Sequence, residues 1–220
     1  MSNNIAIFSA IFGGQDEPKP ILEIPGVDWH MWSDSPGAAT RGWHEHLFPS
    51  QFAHPRMSAK WIRMNPELLL PEYEVTVWID ASITVVDPAF AELFGPGFAT
   101  DGFSLFRHPE RDNIYDECAE STPMPKYAGQ PMREQCEHYR AAGLPADHGL
   151  WATGVMIRNN RSDRLRLMNL DWMNENIRWS YQDQLSLPYV LWRHRIVPIA
   201  IPWNLWDCPL FVRAWVGPSR

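Results

Sequence analysis

Apolar and polar positions along the chain follow two periods. Short runs rich in β-branched and aromatic residues read as strands: "NIAIFSAIF" (4–12), "EVTVWI" (74–79) with "SITVV" (82–86) continuing it beyond Asp80, "GFSLFRHP" (102–109) and "LWATGVMIRN" (150–159). Gly, Pro, Asp or Asn punctuates most of their ends, and "GVDWHMWS" (26–33) offers a further strand. Elsewhere the apolar positions recur every three or four residues. In "SDRLRLMNLDWMNENIRW" (162–179), Ser162 is the expected cap and Leu165, Met168 and Trp172 share one side, with Leu170, Met173 and Ile177 widening the apolar surface. Shorter helices are predicted at 58–69, interrupted near Pro66, and at 88–95, opened by Asp87 and Pro88 and closed by Gly95. Three more are expected in "RDNIYDECAE" (111–120), in "PMREQCEHYRAAGLP" (131–145) with Gly143 as its stop, and in "SYQDQLSLPYVLWRH" (180–194). Strands interleaved with helices predict an α/β sandwich with a mostly parallel central sheet, in which ligands bind beyond the carboxyl ends of the strands.

Composition narrows the picture. A length of 220 residues with 45% hydrophobic content suits one domain, 1–220, with a sizeable core. The formal charge of −7 and the lack of a Lys/Arg cluster argue against a nucleic-acid partner. Cys118, Cys136 and Cys208 form no C-x-x-C pair, which disfavours a disulfide framework or structural zinc and points to a reducing compartment. No apolar run is long enough to span a membrane. The opening "IAIFSAIFGG" lacks the basic flank of a signal peptide and reads as a first strand, so a soluble cytoplasmic protein is expected. Twelve Trp and 10 Phe against 6 Tyr suit either sugar stacking or core packing.

One carboxylate interrupts the most apolar strand. If that strand ends at Asp80, its side chain sits at the carboxyl tip, where it can hold a divalent cation, cap a turn or pair with an arginine. Asp183 and Gln184 precede an apolar helical run, either as a cap or as polar groups aimed into a cleft. Arg107, His108, Arg111 and Asp112 crowd another strand end, fit either for phosphate or sugar hydroxyls or for a surface ion-pair network. Arg56 and Lys60 stand four apart on one helical face and could meet a diphosphate. The "HEH" at 44–46 has two histidines that share a side only in a strand, with no third ligand nearby in sequence, and is read as structural.

Five segments in order, "AIFSAIFGGQDEP", "AKWIRMNPELLLPEYEVTVWIDASI", "FRHPERDNIYDECAE", "LWATGVMIRN" and "WSYQDQLSLPYVLW", resemble the TOD/MUCI glycosyltransferase-like domain family. The resemblance implies a GT-A-like, Rossmann-like three-layer α/β/α sandwich. It also implies a donor site for a UDP- or GDP-linked sugar and a glycan or other hydroxyl acceptor. Within it, "WIDAS" takes the place of the aspartate-any-aspartate motif: Asp80 is the expected ligand for manganese or magnesium or else a ribose contact, and Ser82 stands where a second aspartate would be, a weaker ligand. "QDQLSL" resembles the late aspartate-glutamine motif, making Asp183 and Gln184 the catalytic candidates. By the same resemblance Phe12, Gly13 and Asp16 shape the nucleotide pocket, aided by the missing Cβ atoms of Gly13 and Gly14. Arg56 and Lys60 offset the diphosphate, and His108 and Arg111 line the sugar end. Gly154 leaves room for the acceptor, with Trp151 as its stacking face. The competing classes are a non-catalytic sugar-binding or scaffolding domain, favoured by Ser82, and a metal-dependent hydrolase, which needs a compact His/carboxylate cluster.

Overall fold

The most apolar runs become the middle of one sheet. In the computed structural model, which describes residues 4–214, β1 (Ile5–Ile11) and β4 (Val75–Ile79) pair in parallel. Almost every side chain of the two strands is buried, which explains why neither alternates with polar residues. Beyond β1 lie β2 (Val27–Ser33) and β3 (His44–Leu47). Beyond β4 lie β7 (Trp151–Asn159), β6 (Phe103–Arg107) and β8 (Ile199–Ala200), giving the order β3-β2-β1-β4-β7-β6-β8. β7 runs antiparallel to both its neighbours, and every other pairing in the sheet is parallel.

Alternate residues of the central strands feed two cores. Ala6, Phe8 and Trp78 pack under the α-helices: α1 (Pro55–Arg63), α2 (Pro66–Leu69), α3 (Ile114–Ser121), α4 (Met132–Ala141), α5 (Asp163–Arg178) and α6 (Asp183–His194). Ile7, Val75, Val77 and Ile79 point the other way, against a 3-10 helix at Pro88–Phe98 and a small antiparallel sheet of β5 (Ile83–Val85) and β9 (Phe211–Arg213). The result is an α/β sandwich whose largely parallel sheet is flanked by helices. Among the described residues no helix is long and apolar enough to cross a membrane.

Three local expectations need correction. Asp87 caps the next helix as expected, its Oδ1 accepting the Ala89 N–H at 2.8 Å, but the helix passes Gly95 and ends at Phe98. Gly97 packs there so tightly that a Cβ would come within 2.8 Å of Val75. Leu170 and Ile177 are exposed rather than part of the apolar stripe of α5, which centres on Leu165, Met168 and Trp172. The β-branched run after Asp80 leaves the main sheet: the chain turns, with the Ile83 N–H on the Asp80 carbonyl at 2.9 Å, and enters β5.

Candidate active site

After β1 the chain builds β2 and β3 to one side, then returns to place β4 on the other. The carboxyl ends of β1 and β4 therefore part at a topological switch point, where open α/β sheets hold their ligands. Because β7 is reversed, its first residues arrive at the same edge. A cleft of about 380 Å³ lies there, walled by Phe12 after β1, Trp78 and Asp80 at the end of β4, and Ala152 to Gly154 at the start of β7. The first turns of α1 and α6 complete it with Arg56 and Asp183. Its size falls within the range usual for small-molecule sites.

Asp80 is thus not a buried strand residue. It stands just past β4, its side chain 44% exposed, with Oδ1 accepting the Trp78 indole N–H at 2.9 Å and Arg63 Nη1 3.9 Å away. Gly154 makes room for it, since a Cβ there would sit 3.3 Å from Asp80 Oδ2. Asp183, by contrast, is buried and held by two cations: Lys60 Nζ at 2.9 Å and the Arg63 guanidinium in direct contact. Arg63 itself lies between the rings of Trp78 and Trp172, at 5.6 and 5.3 Å. Residues 56, 60 and 63 follow one face of α1, so a single helix presents three basic groups to the cleft.

Lys126, next to the wall residue Tyr127, and Arg213 of β9 add to them. Five basic side chains meet three carboxylates, Asp16, Asp80 and Asp183, on a chain whose formal charge is −7. Asp16 is itself neutralised by Lys19 at 2.6 Å. Burial lowers Lys60 well below its ordinary pKa, and the neighbouring Arg63 adds to the effect while Asp80 opposes it. Its ion pair with Asp183 favours the charged form. Burial brings Arg63 down to about 10, against the pull of Asp80, which still leaves it charged at neutral pH.

Of the residues singled out from sequence, the cleft brings together Phe12, Asp16, Arg56, Lys60, Asp80, Ser82, Gly154, Asp183 and Gln184. Gly13 lies behind the wall, at φ 62° with its N–H on Asp34 Oδ2 at 2.8 Å; a Cβ would strike Pro55 at 2.6 Å. Trp151 is buried under the Arg107 guanidinium, 5.0 Å from its ring, and offers the cleft no stacking face. His108 and Arg111 stand one layer back. Both turn to the buried carboxylate of Glu117, Arg111 Nε at 2.6 Å and His108 Nε2 at 3.8 Å. Glu117 accepts from Gln182 Nε2 at 2.6 Å, and Gln182 Oε1 accepts the Tyr127 hydroxyl at 2.8 Å, so this network braces the wall from behind. Arg63, Lys126 and Arg213 were missed. For Arg63 the spacing 56, 60, 63 was the available signal; the others reach the cleft through long-range packing.

The donor set suits a divalent cation poorly. Among the described residues Asp80 is the one cleft carboxylate without an ion pair inside 3.5 Å, Ser82 supplies only a weak oxygen, and a guanidinium flanks the site. Unit charges about 4 Å apart interact by about 4 kcal/mol near a protein surface, and a divalent ion doubles that repulsion. Among the described residues no group of three or more His, Cys, Asp or Glu could hold a metal.

A largely parallel sheet with its cleft at the β1/β4 switch point defines a GT-A-like, Rossmann-like α/β protein. The WbbM bifunctional glycosyltransferase, in its apo structure, has the same fold: TM-score 0.54, 10% identity, covering 91% of this chain and 39% of that one, so this chain spans well under half the length of WbbM. Mouse xyloside xylosyltransferase 1, apo form, aligns with a TM-score of 0.48 at 10% identity, over 91% of this chain and 85% of that one. No match was found among curated proteins. Residues 47–208 match the model of the TOD1/MUCI70 glycosyltransferase-like domain, and the chain belongs to that family.

Proposed function

We propose that this protein transfers a sugar from a nucleotide-sugar donor, UDP- or GDP-linked, to the hydroxyl of a glycan or other acceptor. The observation that carries the reading is the convergence of Asp80, Asp183 and the basic face of α1 on one cleft at the switch point. The diphosphate lies against the basic face of α1, and Asp80, exposed at the strand tip, accepts hydrogen bonds from the ribose. Asp183 and Gln184 stand at the sugar end. In the reaction the bond from the anomeric carbon to the diphosphate breaks and the acceptor oxygen takes its place. The nucleoside diphosphate leaves with the bonding pair, and the acceptor proton passes to the Asp183 carboxylate in an inverting transfer or to the departing phosphate oxygen in a retaining one.

Asp183 gripped by Lys60 and Arg63 is a poor proton acceptor. Phosphate oxygens that draw either cation away would free it, so donor binding and activation of this carboxylate are coupled. The same ion pairs also suit a second reading, a domain that binds sugar nucleotides without transfer.

A panel of sugar nucleotides, assayed for release of nucleoside diphosphate with and without glycan acceptors, separates the two. Transfer predicts release that Asp183→Asn lowers by roughly 100-fold or more, the usual scale for losing an acid–base group, with donor affinity kept or tightened because Lys60 and Arg63 are freed for the diphosphate. Binding without release supports the second reading. If no sugar nucleotide binds the folded protein, both fail.

A further inference from the structure

Resting on that donor-site reading, we propose that the donor diphosphate is neutralised by Arg56, Lys60, Arg63, Lys126 and Arg213 in place of a divalent cation. Ser82 stands where a second metal-binding carboxylate would be expected. The segment beyond it, β5, pairs with β9 in the register Ile83 to Arg213, and the Ala214 N–H holds the Ser82 carbonyl at 2.8 Å. The small sheet therefore delivers a guanidinium to the cleft beside the position that lacks a carboxylate. α1 adds its three basic groups about one turn apart, with Arg63 over the rings of both Trp78 and Trp172.

Two of the three cleft carboxylates are already satisfied, Asp16 by Lys19 and Asp183 by Lys60 and Arg63. The cleft keeps an excess of positive charge that an anion of two or more charges would relieve. Arg63, Arg56 and Lys126 each disfavour the charged form of Lys60, so these groups act on one another across the same space. Arginine and lysine at these positions supply donors to phosphate oxygens, and the guanidinium groups of Arg56 and Arg213 can meet them with bidentate geometry.

Isothermal titration tests this with inorganic pyrophosphate, which carries the shared group without a base, and with UDP and GDP. Each is titrated in excess EDTA and again in manganese. The expected result is affinity in EDTA within about twofold of that in manganese. Arg56→Ala, at a part-buried position, and Arg213→Ala, at an exposed one, should each weaken pyrophosphate about tenfold, equivalent to ~1.4 kcal/mol. Asp80→Asn should leave pyrophosphate binding unchanged or tighter, because it removes a negative charge from the cleft. Binding seen only with manganese and lost in Asp80→Asn overturns the inference and leaves the donor-site reading standing. If neither pyrophosphate nor either nucleotide binds a protein whose thermal melt is intact, the donor-site reading falls and takes the inference with it.

Discussion

Two aspartates face one cleft in opposite circumstances. Asp80 is half exposed and accepts an indole N–H; Asp183 is buried between Lys60 and Arg63. Removing one partner of a buried ion pair strands the other charges away from water, at a cost of roughly 3–5 kcal/mol. Asp183→Ala should therefore lower stability by that amount in urea denaturation, and Asp183→Asn, whose amide oxygen still accepts, by clearly less. Asp80→Asn should stay within about 0.5 kcal/mol of the parent, as surface changes usually do. Equal stabilities for all three variants would show that the ion pairs do not hold this corner together. Asp80 was legible in the sequence because a carboxylate broke an apolar run. The burial of Arg63 was not, since it depends on Trp78 of β4 and Trp172 of α5 closing over it from distant parts of the chain.

At the level of elements, the edge pair β2 and β3 carries a directed chain of side chains. The Tyr73 hydroxyl donates to Asp28 at 2.9 Å, so it accepts from His30 Nε2 at 2.9 Å; His30 Nδ1 then accepts from His46 Nε2 at 2.9 Å. Burial, then the neighbouring His46 and His44, lowers His30 from 6.5 to about 4, with Asp28 opposing. A proton that the unfolded chain binds below 6.5 is refused by the folded one until about 4. Stability should thus be flat above about pH 6.5 and fall on acidification toward pH 4, by on the order of 3 kcal/mol from this group. In His30→Gln that acid slope should flatten, and an unchanged slope in urea titrations across this range would place its origin elsewhere. The strand spacing of His44 and His46 was visible in sequence, but their partner His30 emerges only from the register that sets it opposite His44. For the same reason β1, β4, β6, β7 and α5 could be read from periodicity, whereas the reversed direction of β7 and the pairing of β5 with β9 could not: strand direction and partner are decided by packing between segments far apart in the chain.

For the molecule as a whole, an acidic chain holds a basic cleft. An anionic donor approaching it is repelled by most of the surface and drawn in only near the switch point, so association should slow as ionic strength rises. Stopped-flow mixing with a nucleoside diphosphate at increasing salt measures this. A rate indifferent to salt would mean that the cleft's charge plays no part in capture. The signal for such an experiment is already in the wall. Trp78 donates its indole N–H to Asp80, lies 5.6 Å from the Arg63 guanidinium and lines the cleft. Its emission depends on the electric field across the ring, and any anion that engages Arg63 or any hydroxyl that engages Asp80 changes that field. The protein thus carries an optical gauge of its own occupancy, readable without a label and separable from the other tryptophans by a single Trp78→Phe exchange.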